Sequence, residues 1–193
     1  MHPTDCLNFH SSSIRNSFLS WASLALAMAC AVTVGGCASG EITYRGRDQS
    51  KESVEVRNIV VKVSSALEGM DKEILWVKAL VISGLNDSNR FRAVPETGAA
   101  SPPGNGVKVD VDIVEFRGVS QTAREVLGAF AGQAGIRLRV NVIEMTSGNQ
   151  IRDFEAVGKS GISTFSGNTP EAVGLATQQI VDELLRLFKP INR

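Results

Sequence analysis

Beyond residue 37 this 193-residue chain has no histidine and no cysteine: the histidines are His2 and His10, and the cysteines are Cys6, Cys30 and Cys37. Without imidazole or thiol, residues 38–193 cannot form a Ser-His-Asp triad or a Cys-His pair. Nor can they form a disulfide or any usual zinc or copper centre, so no metal is expected. An enzyme built there would have to run on carboxylates, lysine or a Ser-Lys pair, and the expectation is a protein that is not an enzyme. Aromatic platforms are scarce too, with Tyr44 the one tyrosine and Trp76 the one tryptophan after Trp21. Charge of neither sign dominates, because 20 acidic residues balance 20 basic ones. Nucleic-acid affinity comes mostly from basic residues on phosphate, so nucleic acid is not an expected partner.

Long hydrophobic runs are also absent, with one exception. Phe18 to Val34 is uncharged over 17 residues and follows Arg15. It is short for a membrane span of about 20 residues and long for a signal-peptide core of about 7–15. The segment after it, Val34-Gly35-Gly36-Cys37, resembles the lipobox of bacterial lipoproteins. That resemblance implies a diacylglyceryl group on the Cys37 thiol, cleavage after Gly36 and acylation of the new amino terminus. An uncleaved signal anchor and an ordinary secretory signal are the other readings of the run. Each buried lipid methylene contributes about 0.8 kcal/mol and two chains already hold stably. Ala38, where an acidic residue would imply inner-membrane retention, implies an outer-membrane anchor facing the periplasm of a Gram-negative envelope.

On this reading residues 1–36 are a lipoprotein signal peptide, 37–54 a lipidated cysteine with a flexible tether, and 55–189 a single periplasmic domain. Cleavage would remove one acid, Asp5, and one base, Arg15, leaving 157 residues with 19 of each sign. That length suffices for one core. The polar tether, "ASGEITYRGRDQSKESV", would reach at most about 50–60 Å.

Periodicity then gives the elements. Val54–Val63 is β-branched and reads as a central strand. Asp71 reads as the N-cap of a helix to about Asp87, with Ile74, Val77, Val81 and Leu85 on one stripe, widened by Leu75 and Ile82. A short strand at 91–94 completes a βαβ unit. Residues 95–106 form a Pro/Gly loop. "VKVDVDIVEF" (107–116) and "IRLRVNVIEM" (136–145) alternate, and 146–149 turns the chain into a last strand, "QIRDFEAVGKS". Thr169-Pro170-Glu171 reads as an N-cap, a first-turn proline and a first-turn acid, opening a helix to about Lys189. The predicted fold is α+β: a two-layer sandwich with a mixed, mostly antiparallel five-stranded sheet, two helices on one face, and a polar opposite face.

Three features could carry function. Asp110 and Asp112 share a strand face about 6.7 Å apart, a spacing that overlaps paired glycosidase carboxylates. The plainer reading pairs them with Arg137 and Arg139 on the neighbouring strand. "LGAFAGQAG" (127–135) holds Gly128, Gly132 and Gly135 but no Gly-Lys-Ser/Thr, and it precedes a strand, so it is no phosphate loop and no cofactor is expected. Val126, Leu127 and Phe130 beside those glycines are candidate contacts to a membrane or a protein partner, or else core residues. Trp76 reads as packing at the edge of the core.

The Val-Gly-Gly-Cys box, "VDVDIVEFRGV", the Gly-rich link, "IRLRVNVIEMTSG" and the final amphipathic helix together resemble a bacterial lipoprotein family, domain of unknown function 4410, over residues 54–188. The resemblance implies a fold similar to the TolB amino-terminal domain, the curli-secretion lipoprotein and the lipoprotein activators of peptidoglycan synthases. It carries over one functional residue, the lipidated Cys37. It implies a membrane contact through the lipid, envelope protein partners, and an adaptor in envelope assembly or transport, with self-association left open. A small-ligand or lipid-binding module and a carboxylate-based hydrolase of envelope polymers are the alternatives.

Overall fold

The computed structural model describes residues 37–45, 54–56, 58–95, 106–120, 122, 126, 132–161 and 168–190. β3 (Asn58–Ser65) leads into α1 (Asp71–Asp87) and back to β4 (Arg92–Pro95), which pairs parallel to β3 as the βαβ reading predicts. β5 (Gly106–Arg117) also runs parallel to β3, while β6 (Gly135–Glu144) and β7 (Gln150–Lys159) continue antiparallel. α2 (Thr169–Leu187) closes the domain.

The sheet has six strands, not five: β1 (Ser39–Tyr44), then β7, β6, β5, β3 and β4 in order across it. The sixth comes from the segment read as tether: β1 pairs antiparallel with β7 along its whole length. The reason is local. Gly40, Ile42 and Tyr44 alternate toward the helices opposite Gly158, Ala156 and Phe154, enough apolar contact to seat an edge strand. The strand read as 54–63 also divides. β2 (Val54–Val56) leaves the main sheet and pairs parallel with β8 (Phe188–Pro190), which takes over where α2 ends.

Both helices lie on one face of the sheet. Val77, Val81 and Leu85 of α1 and Ile180 and Leu184 of α2 are buried against Val61, Val111, Leu138, Val140 and Phe154. Leu75 does not join this stripe and stays exposed. A register shift after Ile113 inserts an extra residue into β5. Strict alternation would send Glu115 into the core; the shift turns it to the open face beside Arg137 and returns Phe116 inward.

The helix starts differ from expectation by one residue, and the second helix stops at Leu187, about two residues short of the expected Lys189. α1 begins at Asp71 itself, with Met70 at the cap position and no side-chain cap. At α2 the cap is Asn168, whose Oδ1 accepts from Glu171 N at 3.1 Å, and Thr169 is already helical. At the far end of the molecule Asn86 accepts from Ala93 N (2.9 Å) and donates to Ala93 O (3.2 Å), closing backbone groups of edge strand β4. Arg90 donates to Leu185 O and Phe188 O, a cation placed on the carbonyl end of α2.

Candidate functional site

Three places in the domain gather chemistry: the end of the sheet beside Cys37, the open sheet face, and a buried charge cluster behind β1.

Cys37 is exposed, with its thiol in no disulfide, and only Ala38 separates it from β1. The register fixes what lies around it. Ser39 opposes Lys159, Lys159 opposes Gly135, and Gly135 opposes Arg117. The start of β1, the end of β7, the start of β6 and the end of β5 therefore share one end of the sheet. The roots of the connections there are clamped. Thr169 Oγ1 accepts from Val119 N (2.8 Å) and donates to Val119 O (3.1 Å). The fully buried Ser160 accepts from Ala134 N through Oγ (3.0 Å), while Ser160 N donates to Ala134 O (3.0 Å) and Gln133 Nε2 donates to Ser160 O. Gly132 takes a φ of +82°, a left-handed turn into this clamp. Val126, between β5 and β6, is 76% exposed; Leu127 and Phe130 lie outside the described residues, as do Gly128 and most of the glycine-rich stretch.

On the open face, Asp110 and Asp112 do share a side, but their partners are not those expected. Asp110 opposes Asn141 and pairs with Lys108 of its own strand, 3.2 Å away. Asp112 opposes Arg139 and accepts from Ser64 Oγ at 3.5 Å. The arginines turn to glutamates instead: Arg137 reaches Glu115 (3.2 Å) and Glu155 (3.4 Å), and Arg139 reaches Glu155 (3.6 Å). Arg45, just past β1, adds a third cation at 2.6 Å from Glu155. Burial pushes the Glu155 carboxyl up, but hydrogen bonds and charge from Arg45 and Arg137 outweigh it and hold the group below the ordinary glutamate value.

The third place lies outside the candidates that the sequence motifs offer. Arg152 and Glu183 are both buried, on the helix side of the sheet. Arg186 grips Glu183 with two hydrogen bonds of 2.8 Å, Tyr44 Oη donates to it at 3.1 Å, and Arg152 Nε stands 3.7 Å away. The Arg152 guanidinium also lies 5.4 Å from the centre of the Tyr44 ring. The hydrogen bonds from Arg186 to Glu183, and the charge they share, raise the Arg186 pKa still further. Parity held the signal: Arg152 has the same inward parity as Phe154 and Ala156, and Glu183 stands on the stripe between Ile180 and Leu187. Together these contacts tie β1, β7 and α2. Trp76 packs partly buried against the core, as expected.

Among the described residues no group of three or more His, Cys, Asp or Glu is placed to hold a metal ion. No described helix is long and apolar enough to cross a membrane.

The arrangement defines a small α+β domain, one sheet face covered by two helices and the other left open and charged. The chain belongs to the family described as Domain of unknown function (DUF4410), matched over residues 50–164. That match takes in β2 through β7; β1 and α2 lie beyond it. Among solved structures, the chain is similar in fold to PelC from Paraburkholderia phytofirmans, a dodecamer, with 10% identity, 80% of this chain and 100% of that one covered, and a TM-score of 0.51. The lipoprotein GNA1162 from Neisseria meningitidis aligns at 12% identity over 67% of this chain and 99% of that one, with a TM-score of 0.40. Protein XCC0632 from Xanthomonas campestris, assigned to DUF330, aligns at 14% identity over 70% and 86%, with a TM-score of 0.43. No curated protein matches the chain.

Proposed function

We propose that this protein is a lipid-anchored envelope lipoprotein of the outer membrane, facing the periplasm, that works as a non-enzymatic adaptor in envelope assembly or transport. The observation that carries the reading is the Val34-Gly35-Gly36-Cys37 box ending at an exposed thiol immediately ahead of a folded domain. The absence of histidine and cysteine from residues 38–193 supports a binding role over catalysis. The carboxylates that would serve a hydrolase, Asp110 and Asp112, are engaged by Lys108 and Ser64. The open, charged face of the sheet is the surface this architecture leaves for protein partners, since both helices occupy the other. Self-association is one form of partner binding open to the chain, and PelC, similar in fold, is a dodecamer.

Cys37→Ser tests the reading. The wild-type protein, expressed in a Gram-negative host, should carry an acylated amino-terminal Cys37 by mass spectrometry and partition with outer membranes. The variant should keep residues 1–36 and lose the acyl mass. A wild-type amino terminus at any other residue overturns the lipoprotein reading. In-cell crosslinking of the acylated protein should then trap protein partners or further copies of the chain, and their absence overturns the adaptor role.

A further inference from the structure

We infer that the Cys37 end of the sheet is a membrane-docking face, with Val126, Leu75 and Leu67 entering the lipid interface while the opposite end points into the periplasm. The inference rests on the proposed acylation of Cys37 and adds an orientation to it.

The geometry begins with the missing tether. A chain of 17 free residues would have let the domain tumble at any angle; a strand that starts at Ser39 does not. With only Ala38 between them, the Cys37 and Ser39 Cα atoms are at most about 7 Å apart. The polar layer on each side of a bilayer is about 5–8 Å deep. The Ser39–Lys159 pair is therefore held at headgroup depth, and the rest of that end comes down with it.

What comes down is suited to the place. β3 and β5 run parallel, with Ser65 opposite Ile113, so the exit of β3 and the first turns of α1 lie at this end as well. Among the described residues the exposed large apolar side chains are Tyr44, Leu67, Leu75 and Val126. Three of them belong to this end: Leu67 in the link from β3 to α1, Leu75 in the second turn of α1, and Val126 in the link from β5 to β6. Leu75 is 65% exposed on a helix whose buried stripe excludes it. Exposed Lys159, Arg117 and Lys72 stand among them and suit lipid phosphates; the exposed acids at this end are Glu41, Glu68, Asp71 and Glu115, the last paired with Arg137. The opposite end has the contrary character. The turn from β6 to β7 exposes Thr146, Ser147, Gly148 and Asn149.

A protein partner is disfavoured at this face because a one-residue spacer leaves no room for a folded body between domain and bilayer. Val126 is thereby assigned to lipid, and partners keep the open face and the far end.

The test uses the full-length, acylated protein in vesicles of phosphatidylethanolamine and phosphatidylglycerol. Since Cys37 is blocked by its lipid, single cysteines at Val126→Cys, Leu75→Cys, Leu67→Cys and the control Ser147→Cys can each take an environment-sensitive fluorophore. All four positions are exposed, so the variants should fold. Blue-shifted emission and quenching by nitroxide-bearing lipids are expected at Val126, Leu75 and Leu67 and not at Ser147. A protein whose mass shows acylated Cys37 but whose labels are all unquenched, or are shielded only by crosslinkable protein, overturns the docking face and leaves the lipoprotein reading standing. An unacylated Cys37 overturns both.

Discussion

Gly158 is the position where a single methyl group would do most harm. A Cβ there would lie 2.0 Å from Ala172 O and 2.8 Å from Ala176 N, both backbone atoms of α2. The helix rests on β7 at a bare glycine and cannot give way locally. Gly158→Ala should cost about 3 kcal/mol, at the upper end of overpacking, read as a lower urea midpoint at unchanged slope. Gly148, at φ +72° with nothing nearby, should lose only about 1 kcal/mol to the same change, from left-handed strain. Glu155 makes a second residue-scale prediction. Its folded-state pKa lies below its unfolded value, so its contribution is complete above the unfolded value. That contribution is lost as pH falls through the lower folded value, on the acid side of about pH 4. Glu155→Gln should cost about 1 kcal/mol at neutral pH, and the gap from wild type should close as melts are taken toward pH 3.

Among elements, the junction of β1, β7 and α2 depends on one carboxylate. Removing Glu183 alone takes the nearby carboxylate from buried Arg152 and two hydrogen bonds from Arg186. Breaking a buried pair in this way costs about 3–5 kcal/mol, whereas replacing both members by apolar residues is often near neutral. Glu183→Leu should therefore unfold at much lower denaturant than wild type. Glu183→Leu combined with Arg152→Leu should recover most of the difference. An additive double variant would show that the two side chains act independently. Helix existence was readable from spacing, and both spans agree closely with it. Their starts are less readable, because Asn168 and Thr169 can each cap; in the fold the Thr169 hydroxyl is engaged by the Val119 backbone, and Asn168 caps the helix. Leu75 falls on the apolar stripe by spacing yet stays exposed, because spacing alone does not show how wide a face the sheet covers.

For the whole molecule, β1 decides how the domain ends. It gives β7 a neighbour, and it turns a tether into a rigid mount. A chain that starts at residue 46 loses the Tyr44 and Arg45 contacts and bares the edge of β7. An unpaired edge next to a paired core is a template for association. The truncated domain should melt lower and self-associate by light scattering, beyond whatever the intact domain carrying Cys37→Ser does. Equal melting and equal mass would show that β1 contributes nothing to the sheet. The family match begins at residue 50, after this strand, so the strand is not part of what the family pattern describes.

Periodicity and composition alone determined the α+β class, the parallel βαβ unit, the antiparallel β5-β6-β7 run, and the lack of imidazole and thiol chemistry after Cys37. Each follows from local spacing or from residue type, which need no knowledge of distant neighbours. Only the tertiary structure decided that "SGEITY" is a strand. Its two apolar side chains carry too little signal by themselves, and β7 together with α2 provides what they pack against. It also decided the partner of Arg137, because an inserted residue in β5, which the alternation does not announce, brings Glu115 opposite it on the open face. Arg152 and Glu183, 31 positions apart in sequence, become one ion pair solely because α2 folds back across β7, a consequence of burying the helix stripe on the sheet.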